Sequence, residues 1–108
     1  MLKYCGKKAQ IGPCRVFVVD NEQNIKENLR HIVRHSPDGF QWSYGGSGPS
    51  DLSLSILHDF CSRNGMDIAL VDKCYQSFKR DFVATAGDNL EITGEQISDW
   101  FKNKGITT

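Results

Sequence analysis

No stretch of the chain approaches the ~18 consecutive apolar residues that a membrane-spanning helix needs. The N-terminal Met1-Leu2-Lys3-Tyr4-Cys5-Gly6-Lys7-Lys8 has no apolar core of the kind a secretory signal carries, so a cytoplasmic protein is expected. Cysteine occurs four times, as Cys5, Cys14, Cys61 and Cys74, and never as Cys-x-x-Cys. In a cytoplasmic setting these read as free thiols, with Cys61 and Cys74 on apolar stripes as small core residues. Excess charge is missing too: 13 basic residues balance 13 acidic ones, so net charge does not favour non-specific binding to nucleic acid or to an anionic membrane surface. There is no Gly-x-x-x-x-Gly-Lys-Ser/Thr loop, no Gly-x-Gly-x-x-Gly with a following acid, and no Gly-x-Ser-x-Gly elbow. Repeats and low-complexity segments are absent, and composition does not break along the 108 residues, so residues 1–108 read as one domain.

What is present concentrates between His35 and Leu57. Ser36-Pro37-Asp38-Gly39 reads as a type I turn, with the proline presetting φ at its second position. Phe40, Trp42 and Tyr44 then alternate with Gln41 and Ser43, a period of two that places three rings on one face of a strand over 39–45. Gly45, Gly46 and Gly48 end it. Pro49 suits the first turn of a helix, with Gly48 or Ser47 as cap and Asp51 near the positive end. Leu52, Ile56 and Phe60 form an apolar stripe, widened by Leu57 and Cys61. A glycine loop feeding a helix leaves backbone N–H groups free to hold an anion. The stretch is therefore the candidate site, through His35, Ser36, Trp42, Tyr44, Gly45, Gly46, Ser47 and Gly48. A tight structural corner explains the same residues.

Around that stretch, residues 2–6 and Arg15–Val19 read as an antiparallel pair of strands, and Asp20–Asn24 as a polar turn. Ile25–Val33 has helical spacing but is short, and an extended piece fits as well. The central helix ends near Gly65. A second helix over 68–84 carries Val71, Cys74 or Tyr75, Phe78 and Phe82 inward, with Lys79 and Arg80 facing solvent or a partner. Leu90–Ile92 forms a short strand or tucks two side chains inward. Thr93 and Gln96 make a capping box for a last helix with Ile97, Trp100 and Phe101 on its core face. Gly105 ends that helix, and Ile106–Thr108 are expected to fray. The fold class is α+β: a small antiparallel sheet, made of the N-terminal strands plus the 39–45 strand, packed against about three helices.

Catalysis is the weaker reading. A Ser47/His35/Asp51 set could be drawn, as for a hydrolase, but without a nucleophile motif. Cys5 and Cys14 lie near Lys7, Lys8 and Arg15, which could favour a thiolate, but nothing else supports thiol chemistry. His31 and His35 stand four apart, as ligands on one helical face would, yet no third ligand sits nearby, and His35 more readily fixes the Ser36–Gly39 turn through its ring. Neither a metal nor a cofactor is expected. The bases up to residue 35 outnumber the acids there, whereas the rest of the chain is acid-rich, so Arg30 and Arg34 are candidates for docking an acidic partner.

The run His35-Ser36-Pro37-x-Gly39-Phe40-x-Trp42-x-Tyr44-x-Gly46-Ser47-Gly48-Pro49-x-x-Leu52 resembles the signature of an uncharacterised small domain of phages, bacteria and archaea, His-Ser-Pro-x-Gly-Phe-x-Trp-Gly-Tyr-x-Gly-Ser-Gly-Pro-x-x-Leu. The chain departs from it at Ser43, where the pattern has glycine. A looser likeness extends to Tyr4, Gly6, Tyr75, Phe78, Lys79, Ile97 and Trp100. The resemblance brings no established activity. It implies a link to mobile elements, and with it a counter-defence role in the host cytoplasm. Two classes then compete: a non-enzymatic binding protein that captures a small anionic or nucleotide-like ligand at the glycine loop, and an inhibitor or adaptor that binds a host protein while the motif only holds the fold. Self-association is a further option under either.

Overall fold

The computed structural model describes residues 1–105; the expectation for Ile106–Thr108 lies outside them. Four strands form one antiparallel sheet: β1 (Leu2–Lys7), β2 (Arg15–Asp20), β3 (Ile25–Asn28) and β4 (Asn89–Thr93), in the order β3-β2-β1-β4. Three helices follow or interleave: α1 (Ser47–Arg63), α2 (Ala69–Phe78) and α3 (Gly94–Asn103). The expected α+β class is the observed one.

Alternation sets the two faces of the sheet. Tyr4, Val16, Val18, Leu90 and Ile92 point into the core, whereas Lys3, Cys5, Arg15, Phe17, Val19 and Glu91 point out. Gly6 stands where any Cβ would run into the carbonyl of Arg15 and press on the Trp42 ring at 3.3 Å. The pairing of β1 with β2 thus needs a residue without a side chain there.

Helix α1 is the centre of the molecule. Every residue from Gly48 to Leu57 is buried, including Ser50, Ser53 and Ser55. The buried hydroxyls are satisfied locally or by the neighbouring loop: Ser50 Oγ donates to Gly46 O, Ser53 Oγ to Pro49 O, and Ser55 Oγ accepts from Ile32 N. Small serines let α1 be surrounded on all sides while keeping a modest apolar stripe. Tyr4 ties it to the sheet: its hydroxyl donates to Asp59 Oδ2 at 2.7 Å, the same oxygen takes Arg63 Nε at 2.7 Å, and Arg63 also pairs with Glu27 on β3. Burial, with Asp59 beside it, pushes the Tyr4 phenol far above its ordinary pKa.

The helix over 68–84 is present as α2 followed by one π-helical turn, Lys79–Val83. Lys79 does not face solvent or a partner alone; its ammonium donates to Ser50 Oγ on α1. The capping box forms as expected, with Gln96 N bonded to Thr93 Oγ1 and Thr93 N to Gln96 Oε1. Leu90–Ile92 lie in β4, and Ile25–Asn28 are extended rather than helical.

The 39–45 strand does not form, and β4 takes its place in the sheet. Only an isolated bridge, Cys14 to Phe40, survives of the expected pairing. The reason lies at Ser43, whose φ of 77° is left-handed and ends any extended run. Its N–H bonds to Val83 O in the π turn and its hydroxyl to Ala86 O, so the backbone is anchored to the helical layer. The three rings accordingly part company. Phe40 and Trp42 are buried, with the indole N–H on Gly87 O at 2.7 Å, while Tyr44 is 49% exposed.

Ser43→Gly and Ser43→Ala both lose the bond to Ala86, but only the alanine keeps a Cβ at positive φ. The glycine variant is expected to be the more stable by about 1 kcal/mol in denaturant titration; equal stabilities would refute strain at this residue.

Candidate functional site

Asp51, the fifth residue of α1, is fully buried and points at the 31–36 segment. Its carboxylate accepts from four residues: His31 Nε2 at 2.9 Å, His35 N at 2.8 Å, Ser36 N at 2.9 Å, and Arg34 N shared between both oxygens at 3.2 and 3.3 Å. An ionised carboxylate only accepts, so His31 presents its Nε2–H. Burial works to raise the Asp51 carboxyl, but the bonds from His31, Ser36, His35 and Arg34 outweigh it and hold the group below its ordinary range. One turn along α1, Ser55 receives Ile32 N on the same helical face. The segment is thereby fastened to α1 through its backbone.

A second set of contacts ties it to α2. The His35 ring meets Tyr75 OH at 2.9 Å, and Arg34 pairs with Asp72 at 2.7 Å with its guanidinium 5.8 Å from the Tyr75 ring centre. His31 packs on Phe40, ring centres 4.5 Å apart. These contacts correct three expectations. Asp51 does not serve the helix dipole. His35 does not brace the Ser36–Gly39 turn, where Ser36 Oγ bonds to Gly39 O instead. Ser47/His35/Asp51 is no catalytic set, because His35 is turned to Tyr75 and Asp51 to His31 and the backbone.

The helix begins at Ser47 with Gly46 as its N-cap, one residue before the expected caps. Gly48 is buried where a Cβ would meet Gln41 Cβ at 2.8 Å, so the incoming chain crosses the helix start at close range. The Tyr44 ring lies over Gly46. Beside this start opens a cleft of about 560 Å³ lined by Ser36, Asp38, Gln41, Tyr44 and Ser47, with Gly12, Pro13 and Gly39. Of the ligand residues expected from sequence, the structure brings Ser36, Tyr44 and Ser47 together there, with Gly46 under the tyrosine. It removes Trp42 and Gly48 into the core, turns His35 away, and leaves Gly45 exposed.

Arg30 and Arg34 line a second hollow, a groove of about 300 Å³, with His58, Asp72, Ile32, Leu54, Ile68 and Val71. A smaller hollow of about 170 Å³ continues it past Ser55, Asp59 and Ser62. Val33 and Ile68 are exposed apolar side chains, at 60% and 40%. Arg34 is engaged by Asp72, while no ion pair involves Arg30 among the described residues. Sequence reasoning found the two arginines but missed His58, Ile68 and Val71, which reach the groove from different elements. It named Asp51 but for the helix dipole, and missed its bonds to the 31–36 segment, which lies 15 to 20 residues earlier.

Thiol chemistry gains no support. All four cysteines are free; burial pushes Cys61 up to about 11 and raises Cys74. Cys14 is buried and its thiol meets Gln41 Oε1 rather than an imidazole. No cluster of three or more metal-ligating side chains occurs among the described residues, and no described helix is long and apolar enough to cross a membrane.

Asp51→Asn keeps the volume but turns an amide toward donors, and is expected to cost about 3 kcal/mol. Because the folded-state pKa lies below the unfolded one, the stabilisation is complete above the unfolded value of about 4 and is lost as pH falls through the folded value. The gap between wild type and Asp51→Asn in urea titrations should therefore shrink in acid; a gap that is constant with pH would show that the charge is not what holds the segment.

No curated protein and no solved structure matches the chain. A family model does, over residues 4–103, under the description family of unknown function (DUF6166). That span runs from β1 through α3, with the Asp51 clamp, the cleft and the groove inside it, so the chain belongs to this family of unknown function.

Proposed function

We propose that the protein is a non-catalytic interaction module that docks an acidic, partly apolar segment of a partner protein in the groove between the 30–34 segment, α1 and the start of α2. The observation that carries this is the groove itself: Arg30 and His58 at its polar edge, Asp72 there paired with Arg34, Ile32, Leu54, Ile68 and Val71 as its apolar lining, and a wall fastened by Asp51. An uncommitted guanidinium beside exposed apolar side chains favours a carboxylate next to a Leu-, Ile- or Phe-like anchor. The 35–57 motif then acts by building the wall. A small protein whose work is to occupy a surface suits the mobile-element and counter-defence setting that the sequence resemblance implies.

Selection from a displayed random-peptide library tests it. Enriched peptides should combine Asp or Glu with a large apolar residue, and Arg30→Glu should weaken the best of them at least tenfold. An unenriched pool, or peptides indifferent to Arg30, would reject the groove.

A second reading rests on the cleft at the start of α1, where Tyr44 is exposed and the first-turn amide of Ser47 has no partner within an ideal helix. It takes a small anionic or nucleotide-like ligand, with Asp38 at the rim as an opposing charge. Under this reading, inorganic phosphate or a mononucleotide raises the melting temperature by several degrees at millimolar concentration. Ser47→Glu, which suits the helix dipole and so keeps the fold, abolishes the rise. No shift with phosphate and the four common mononucleotides would exclude it.

A further inference from the structure

On the face of the sheet turned away from α1, every strand residue is at least partly exposed among the described residues. Its centre is Phe17 on β2, directly opposite Cys5 on β1, both partly exposed. Two residues along the strands on one side stand Arg15 and Lys7, themselves directly opposite each other. Two residues along on the other side is a row of Lys26, Val19 and Lys3 across three strands. Lys3 is paired with Glu91 at 3.2 Å; Lys7, Arg15 and Lys26 have no carboxylate in ion-pair reach among the described residues. Like charges directly opposite on neighbouring strands oppose sheet formation, so the Lys7–Arg15 pair is arranged against local stability. The zero net charge of the chain hides this: among the described strand residues, four cations and one anion share the face.

We propose that this face binds single-stranded nucleic acid. Two cationic rows, each about 7 Å from a central aromatic ring at ~3.4 Å per residue, offer sites for backbone phosphates on either side of a base stacked on Phe17. An open antiparallel sheet with an aromatic at its centre is a platform for unpaired bases, whose faces are free, and not for a duplex, whose bases are stacked internally. A second copy of the chain fits poorly, because self-pairing would bring the cationic rows together. An acidic protein would satisfy the charges but leave Phe17 without a role.

Fluorescence anisotropy with labelled twelve-nucleotide RNA and DNA at low salt is the test, with the matching duplex and polyglutamate of similar length as comparisons. Single strands should bind in the micromolar range, with a log–log salt slope of about −2 for three phosphate contacts. The duplex and polyglutamate should bind at least tenfold more weakly. The exposed pair Lys7→Glu/Arg15→Glu should weaken binding at least tenfold. Phe17→Ser should weaken it several-fold at an unchanged salt slope, and Phe17→Tyr should restore it. Arg30→Glu should leave it unchanged, which separates this face from the groove. Absence of binding, equal binding of duplex or polyglutamate, indifference to the double variant, or a dimer in sedimentation that the double variant splits would each overturn the proposal.

Discussion

A buried carboxylate with four donors around it governs the central part of this protein. Removing Asp51 from water is costly, and a single partner would not offset it. Three consecutive backbone amides and an imidazole do so together, and in return fix the conformation of a segment that has no regular secondary structure. Without that clamp the segment would retain Ser55, Tyr75 and Asp72 as anchors, all reached through single contacts or side chains. The Ser36–Gly39 turn, the buried placement of Phe40 and the wall of the Arg30 groove all follow from where Asp51 holds residues 34–36.

The same device separates the molecule into regions with different chemistry. Ile32 and Arg34 of the clamped segment line a groove mixing guanidinium, imidazole and aliphatic groups; Ser36 lines a polar cleft whose walls include Asp38 and Tyr44. The sheet contributes a third surface, with Lys3, Lys7, Arg15 and Lys26 around Phe17. Family membership supplies no activity to choose among them, so the physical content of each surface carries the functional reading.

Much of the architecture was legible because it rests on local signals. The Arg15–Val19 run, the Thr93–Gln96 box and the apolar spacing of the second helix each state their structure within a few residues. The aromatic alternation at Phe40, Trp42 and Tyr44 misled for an identifiable reason: period two reports a strand only if the backbone stays extended, and Ser43 does not. A serine gives no warning of a left-handed φ. The glycine at that position in the pattern the sequence resembles would have given one. The site was half legible. Arg30 and Arg34 were visible as charge, but the groove needs Ile68 and Val71 from α2, and its rigidity needs Asp51 to point away from the helix axis toward a loop 15 to 20 residues earlier. Nothing local distinguishes that carboxylate from one placed to favour a helix dipole.

The position of β1 in the sheet has a kinetic consequence. Its two neighbours are β2, joined to it by a short connection, and β4, whose Thr93 lies opposite Lys3. The first pairing closes a small loop and can form early. The second waits until almost the whole chain is available and must bear the entropy of closing a loop of some 90 residues. Between those events β1 is an edge strand, with its backbone groups on one side unmatched. The interval in which the chain is open to mispairing is therefore set by how quickly β4 and the helix capped at Thr93 arrive together. Refolding should be limited by that long-range step and not by formation of the helices.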